Sequence, residues 1–220
     1  MIGVESADAL TMLTDRDKDL LETLSIRVRI LSLDQIARLW WTHAADPTRH
    51  ARRRLRALED RGFVEHRRFA AHPMLALDQP VFAWRPGHSA PDPDATSYAL
   101  TSRWTELTKN VPVYVATQRT KGALGGGLAR LSPLGHETHD LHVSELFVRL
   151  RLDQPDRAAR WVGEEAFAKD RHDDKRPDAL LVDHAGQPEL VIEFAGKYSP
   201  DHVWSFHQDC ADRELAYELW

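Results

Sequence analysis

The segment from Pro47 to Arg61 constrains the fold more than any other part of this chain, because its apolar and basic residues would lie on different faces of an α-helix. Small and apolar residues recur at intervals of three and four, at Ala51, Leu55 and Leu58, and side chains at such intervals share one face of an α-helix. The positions between them hold Arg49, Arg52, Arg53 and Arg56. The segment therefore predicts a helix with a buried apolar stripe and an exposed arginine face.

The residues around this segment predict further elements of one small domain. A first helix is expected from Asp15 with Thr14 as its N-cap, and a second follows the capping residue Ser32. Gly62 ends the arginine helix, a strand begins at Phe63, and a second strand at 80–85 is expected to complete a hairpin over 63–85. Two helices, an arginine-rich helix and a hairpin predict a winged helix-turn-helix DNA-binding domain over 1–86.

Charge divides the chain in a way that the total of −5 conceals. Residues 1–70 carry 13 Lys and Arg against 11 Asp and Glu, residues 71–139 carry 6 against 5, and residues 140–220 carry 10 against 18. Within 47–68 there are eight arginines and three acids, an excess that suits a polyanionic partner. We expect double-stranded DNA as that partner, contacted at phosphates and bases by Arg49, Arg52, Arg53 and Arg56 and at phosphates by the hairpin residues Arg67 and Arg68.

Several protein classes are excluded at this stage. No stretch has the apolar length needed to cross a bilayer, and Met1–Thr14 lacks the basic start and apolar run of a secretory signal. Cys210 is the single cysteine, so an internal disulfide and a multi-cysteine metal site are both excluded. We therefore expect a cytoplasmic protein without membrane contact.

The second half of the chain has the pattern of an α/β (α+β) domain. Turn-forming residues at 86–99 indicate a linker, which we extend to a connecting segment over 87–135. A helix over 141–152, three strands over 160–165, 178–183 and 189–194, a helix over 200–215 and a last strand over 217–220 are then expected. The predicted domain covers 136–220.

Two acids in this region interrupt apolar strands. Asp178 begins the second strand and Glu193 follows an apolar run in the third, and a buried acid is costly unless it is paired or binds a cation. Glu164 or Glu165, at the end of the first strand, adds a further carboxylate; we take Glu165, Asp178 and Glu193 as candidate ligands of Mg²⁺ or Mn²⁺. Salt bridges to Arg176 or Lys197 remain the alternative.

Helix, three-stranded meander, Pro-Asp at 177–178 and Glu193 on the next strand resemble the PD-(D/E)XK nuclease fold. A winged helix before such a core, a Thr-His-Asp-Leu-His segment at 138–142 and Arg-Pro-Asp at 176–178 resemble the replication-relaxation family of plasmid-borne proteins. This resemblance implies DNA binding connected with plasmid replication or maintenance. Three histidines near that segment, His136, His139 and His142, have metal-compatible spacing, although caps and packing residues are the commoner role.

The chain departs from the nuclease pattern at its lysine. Ala195 stands two residues after Glu193, where the pattern has lysine, and Lys197 follows two residues later. If the strand continued, residues 193, 195 and 197 would share a face. In the catalytic hypothesis, Asp178 and Glu193 hold a metal that activates water, and Lys197 stabilises the charge developing on phosphorus.

Three functions therefore stay open. The leading hypothesis is a sequence- or structure-directed DNA-binding protein with a nuclease-like C-terminal domain, in which Ala195 argues against ordinary catalysis. The second is an active metal-dependent DNA endonuclease. The third is a transcription or replication regulator whose acidic C-terminal domain binds protein or mediates formation of a homodimer.

Overall fold

The computed structural model describes residues 13–126, 135–166 and 176–220, except for the side chain of Glu165. Two compact units divide the chain. Unit 1 contains the described residues of Met1–Ala70 and Asn110–Ser144, and unit 2 contains those of Ala71–Lys109 and Glu145–Trp220. The chain thus leaves unit 1 after residue 70, forms part of unit 2, and returns to unit 1 at residue 110.

The described elements mix helices with two sheets. The helices are α1 Asp15–Glu22, α2 Leu33–Trp40, α3 Pro47–Asp60, α4 Pro93–Ser102, α5 Gln118–Ala123, α6 Glu137–Asp153, α7 Pro155–Ala159 and α8 Pro200–Asp212. A π-helical turn, Thr23–Arg27, extends α1, and a 3-10 turn covers Glu164–Ala166. The strands are β1 Leu31–Ser32, β2 Val64–Ala71, β3 Phe82–Trp84, β4 Lys109–Ala116, β5 Trp161–Gly163, β6 Ala179–Val182, β7 Pro188–Glu193 and β8 Ala216–Leu219.

Local sequence signals explain the starts and ends of the helices in unit 1. The predicted N-caps are confirmed: the Thr14 hydroxyl accepts a hydrogen bond from the amide of Asp17, and that of Ser32 accepts one from Gln35. Both pairs form complete capping boxes. Gly62 follows α3 with φ of +71°, a left-handed conformation that favours glycine.

A three-stranded sheet completes unit 1, in the order β1, β4, β2. β1 runs antiparallel to β4, with Leu31 opposite Tyr114. The side chains of Leu21, Leu31 and Ile36 are fully buried in this unit. The first part of α6 belongs to the same unit, where the Leu141 carbonyl accepts a hydrogen bond of 3.0 Å from the Gln35 side chain.

Unit 2 contains a five-stranded sheet in the order β3, β8, β7, β6, β5. β5, β6 and β7 form an antiparallel meander, and α8 then leads to β8, which lies parallel to β7. The turn between β6 and β7 contains Gly186 with φ of +77°. The core includes Leu180, Val191, Val203 and Phe206. The predicted order of helix, three strands, helix and strand is confirmed.

The predicted hairpin over 63–85 is wrong. The partner of β2 is β4, whereas β3 pairs antiparallel with β8, and Phe82 lies opposite Leu219. The Trp84 ring stacks on Tyr217 with centroids 5.8 Å apart, and burial of these two rings in the core of unit 2 explains why β3 joins that sheet.

The connecting segment predicted over 87–135 contains three regular elements, α4, β4 and α5. The compact units also cross the boundaries drawn at 86 and 135, since Ala71–Lys109 belongs to unit 2 and Asn110–Ser144 to unit 1. Pro93 is compatible with α4 because it stands in the first turn of this helix, directly after the N-cap Asp92.

Among the described residues, no helix has both the length and the apolar character that a membrane span requires.

Candidate nucleic-acid interface and carboxylate cluster

The arginine face of α3 forms as the sequence predicts. Ala51, Leu55 and Leu58 are fully buried, and the four predicted contact residues are all exposed: Arg49, Arg52, Arg53 and Arg56. The arginines line a surface depression together with Ala45, Asp46 and His50. The apolar stripe therefore holds α3 against the unit and leaves four cations at one concave surface.

These four guanidinium groups are available to a ligand. Within the described part of the chain, none of them forms a hydrogen bond or an ion pair through its side chain. Four neighbouring cations without acidic partners repel each other and attract an anionic ligand.

Arg54, on the same helix, has a different role. Its Nε donates to Oδ1 of Asp17 at 2.7 Å, and its Nη2 donates to Oδ2 of the same carboxylate. Asp17 is only 1% exposed; burial opposes its ionisation, but the hydrogen bonds from Arg54 and Thr14 outweigh that effect and lower its pKa. The pair joins α3 to the start of α1, so Arg54 is a structural residue.

The predicted hairpin arginines both lie on β2. Arg68 is exposed, and Arg67 is partly exposed and pairs with Glu65 at 2.6 Å. Arg68 is therefore the more accessible of these two cations. Their strand is an edge strand of the sheet in unit 1, so its outer backbone edge and side chains form part of the surface of that unit.

Asp178 and Glu193 lie opposite each other in unit 2. β6 and β7 pair Ala179 with Ile192, so the next antiparallel step places Asp178 opposite Glu193 and directs both side chains to one sheet face. The Glu193 Oε2 accepts a hydrogen bond of 3.1 Å from the Asp178 amide, and the Asp178 Oδ2 accepts one of 2.8 Å from the Phe194 amide. Each of the two carboxylates thus accepts a hydrogen bond from a backbone amide of the opposite chain segment at this end of the hairpin.

A residue that the sequence interpretation missed completes the cluster. The Tyr198 hydroxyl donates to Glu193 Oε1 at 2.5 Å. Burial, and next the Glu193 carboxylate, raise the pKa of Tyr198 far above its ordinary value, so this hydroxyl stays protonated as a donor. Both oxygens of Glu193 consequently accept hydrogen bonds from the protein, and Asp178 and Glu193 are only 8% and 7% exposed.

Glu164, the alternative to the predicted ligand Glu165, lies beside Asp178. Its amide donates to the Asp178 carbonyl at 3.0 Å, and the pairing of Gly163 with Ala179 brings Glu164 into the same cross-strand row as Asp178 and Glu193. The side chain of Glu165 lies outside the described residues. Sequence alone did not distinguish the two, because the strand ends at Gly163 and a 3-10 turn begins at Glu164.

Lys197 does not continue the strand face of Glu193. β7 ends at Glu193, and Gly196, with φ of +55°, lies in a turn closed by a hydrogen bond from the Tyr198 amide to the Ala195 carbonyl. Lys197 is exposed, with its Nζ 5.6 Å from the centre of the Trp104 ring. The expectation that 193, 195 and 197 share a strand face is therefore wrong.

Ala195, two residues after Glu193, is a core residue. It is 1% exposed and packs in the cluster that contains Leu100 of α4 and Val203 and Phe206 of α8. The Ser97 hydroxyl of α4 also donates to the Tyr198 carbonyl at 2.8 Å. Helix α4 therefore packs over this end of β7.

The described side chains that could bind a metal ion do not converge on one point. Among residues whose positions are described, no group of three or more His, Cys, Asp or Glu side chains converges as metal ligands require. The oxygens of Glu193 and Oδ2 of Asp178 each accept a hydrogen bond from a protein donor. The histidines near α6 likewise make local contacts: His142 Nδ1 lies 2.6 Å from the Thr138 carbonyl, and His139 Nδ1 lies 3.7 Å from Asp140.

Comparison with known proteins gave no match to a family model, to a curated protein or to a solved structure.

Proposed function

We propose that this protein binds double-stranded DNA through α3, and that unit 1 acts as a winged helix-turn-helix domain. The observation that carries the proposal is a set of four exposed arginines on a helix whose opposite face is fully buried, and within the described residues their side chains make no hydrogen bond or ion pair. A helix of this kind fits the major groove, and its arginines suit both phosphates and base edges.

The sheet of unit 1 supports the same proposal. Its order β1, β4, β2 follows the plan of a winged helix, in which a short strand precedes the second helix and a strand pair follows the recognition helix. In our proposal β2 and β4 are the wing strands, and Arg67 and Arg68 contact phosphates. Residues 72–108, which separate these strands, supply β3 and α4 to unit 2.

We further propose that unit 2 is a nuclease-like domain that does not hydrolyse DNA. Its meander, crossing helix and parallel strand follow the PD-(D/E)XK plan, whereas Ala195 is buried and the Asp178 and Glu193 carboxylates are engaged by protein donors. These carboxylates then stabilise the hairpin end. The resemblance to the replication-relaxation family supports a role in plasmid replication or maintenance, in the cytoplasm.

DNA binding is tested by fluorescence anisotropy with a labelled duplex. We expect the double variant Arg52→Ala/Arg53→Ala to lose on the order of tenfold to hundredfold in affinity near physiological salt, because two phosphate or base contacts disappear. Arg213→Ala, at the exposed end of α8 in unit 2, is the matched control and should bind normally. Equal affinity of the double variant and the wild type, with circular dichroism unchanged, would reject the assignment of α3.

Hydrolysis is tested with supercoiled and linear DNA in the presence of Mg²⁺ or Mn²⁺. We expect no cleavage by the wild type at concentrations that saturate DNA binding. Cleavage that Asp178→Ala and Glu193→Ala both abolish would establish the endonuclease instead. Equal cleavage by all three proteins would trace to a contaminating nuclease or to a different site.

A further inference from the structure

The four arginines of α3 do not face the same direction, and their differences carry information about what each one contacts. A residue advances about 100° around an α-helix. The fully buried Ala51, Leu55 and Leu58 fix the direction of the core. Relative to the line opposite that core, Arg53 lies about 15° away and Arg49 about 30° away on an ideal helix. These two arginines therefore occupy the middle of the exposed face.

Arg52 and Arg56 lie to one side of that line. On the same ideal helix their offsets are about 90° and about 45°, both in one direction. Glu59 lies on the same side, at an offset of about 105°, and its carboxylate accepts a hydrogen bond of 3.1 Å from the His66 amide of β2. This flank of α3 therefore faces the sheet that carries the proposed wing.

The opposite flank of α3 carries an arginine that is already paired. Arg54 lies there and is held by both oxygens of Asp17. It shares a second depression with Arg16, Trp41 and Arg53, and the Arg16 guanidinium lies 5.0 Å from the centre of the Trp41 ring. The free cations of α3 are thus arranged as a central pair and one flanking pair.

Building on the proposed DNA-binding function, we infer that Arg49 and Arg53 recognise guanine bases in two base pairs of duplex DNA that lie two steps apart, while Arg52 and Arg56 contact phosphates on the wing side. Arginine pairs with both the O6 and N7 acceptors of guanine, the commonest specific contact in the major groove. Four residues of helix span about 6 Å, which corresponds to about two base-pair rises of 3.4 Å. The target is therefore a duplex containing two G·C base pairs with one base pair between them.

The inference is tested by selecting tight binders from a randomised duplex library with the wild-type protein, and then measuring Arg49→Ala, Arg53→Ala and Arg52→Ala against the selected duplex and one with its guanines replaced. For the wild type we expect a preference between about 5-fold and about 150-fold for each guanine. Arg49→Ala and Arg53→Ala should each abolish the preference at one position. Arg52→Ala should weaken binding to both duplexes equally and leave the preference intact.

The outcomes separate this inference from the function on which it depends. Binding without base preference, or a guanine preference that survives in both Arg49→Ala and Arg53→Ala, overturns the base assignment and leaves DNA binding intact. Loss of the preference in Arg52→Ala but not in Arg53→Ala also overturns it, because the roles would be exchanged. Failure of the wild type to bind any duplex overturns both.

Discussion

Replacing Glu193 distinguishes a structural carboxylate from a catalytic one. In Glu193→Ala, the Asp178 amide and the Tyr198 hydroxyl both lose their acceptor. A buried donor left without an acceptor costs about 1–3 kcal/mol, and the hydroxyl, which is only partly buried, regains some hydration. We therefore expect the free energy of unfolding of unit 2 to fall by about 2–4 kcal/mol. A ligand in a metal site would behave differently, because removing a carboxylate from clustered acids relieves repulsion and leaves stability unchanged or raised.

The assay is urea unfolding of the full chain, followed by circular dichroism. Glu193→Gln should cost less than about 1.5 kcal/mol, because its carbonyl accepts from the Asp178 amide and its NH₂ donates to the Tyr198 oxygen. Glu189→Ala is the matched control on the same strand, since its exposed ion pair with Arg160 is worth about 0–1 kcal/mol. Unchanged or increased stability in Glu193→Ala would refute the structural role.

Three further predictions concern stability. Asp17→Ala should destabilise unit 1 by about 2 kcal/mol, because it removes a capping box and leaves Arg54 without its carboxylate; urea unfolding that matches the wild type would contradict this. Burial lowers the pKa of His207 below 6.5, so its contribution to stability should be complete above pH 6.5 and be lost as the pH falls through the lowered pKa; His207→Gln should remove this part of the pH dependence, and an unaltered profile would exclude His207 as its source. Gly62→Ala should cost about 1–2 kcal/mol, from φ of +71° alone, since an added Cβ meets no atom within 4 Å; a neutral result in thermal unfolding would show that the turn relaxes.

The helices were predictable because their signals are local. Thr14 and Ser32 cap α1 and α2, and the arginine face of α3 follows from residues within one segment. Each of these features depends on side chains three or four positions apart. The meander and its Asp178–Glu193 pairing were accessible for the same reason, since a short turn fixes the register of β6 and β7.

The strand pairing of β2 and β3 was not predictable from local pattern. Neighbouring strands in sequence usually pair, and that rule favoured the hairpin over 63–85. Here β2 pairs with β4, which begins 38 positions after the end of β2. β3 pairs with β8, the last strand of the chain. Burial of Trp84 against Tyr217 decides the second pairing, and such long-range packing leaves no periodic signal in the sequence.

The positions of Asp178 and Glu193 were predicted from the sequence, but their hydrogen-bond partners were not. The sequence indicated that two acids interrupt apolar strands, whereas their hydrogen-bond partners depend on backbone amides and on Tyr198, which follows the turn after β7. The lysine was misjudged because Gly196 turns the chain directly after the strand. A glycine in that place permits both a bulge and a turn, and only tertiary packing selects between them.

The salt dependence of duplex binding tests the central claim most directly. Each phosphate contact made by a cation contributes about −0.9 to the slope of log K against log salt. We expect the wild-type protein to bind with a steep negative slope, and Arg52→Ala/Arg56→Ala, which removes the two flanking contacts, to make that slope shallower by about 1.8. A wild-type protein that binds no duplex at low salt, or a slope that the double variant leaves unchanged, would contradict the account.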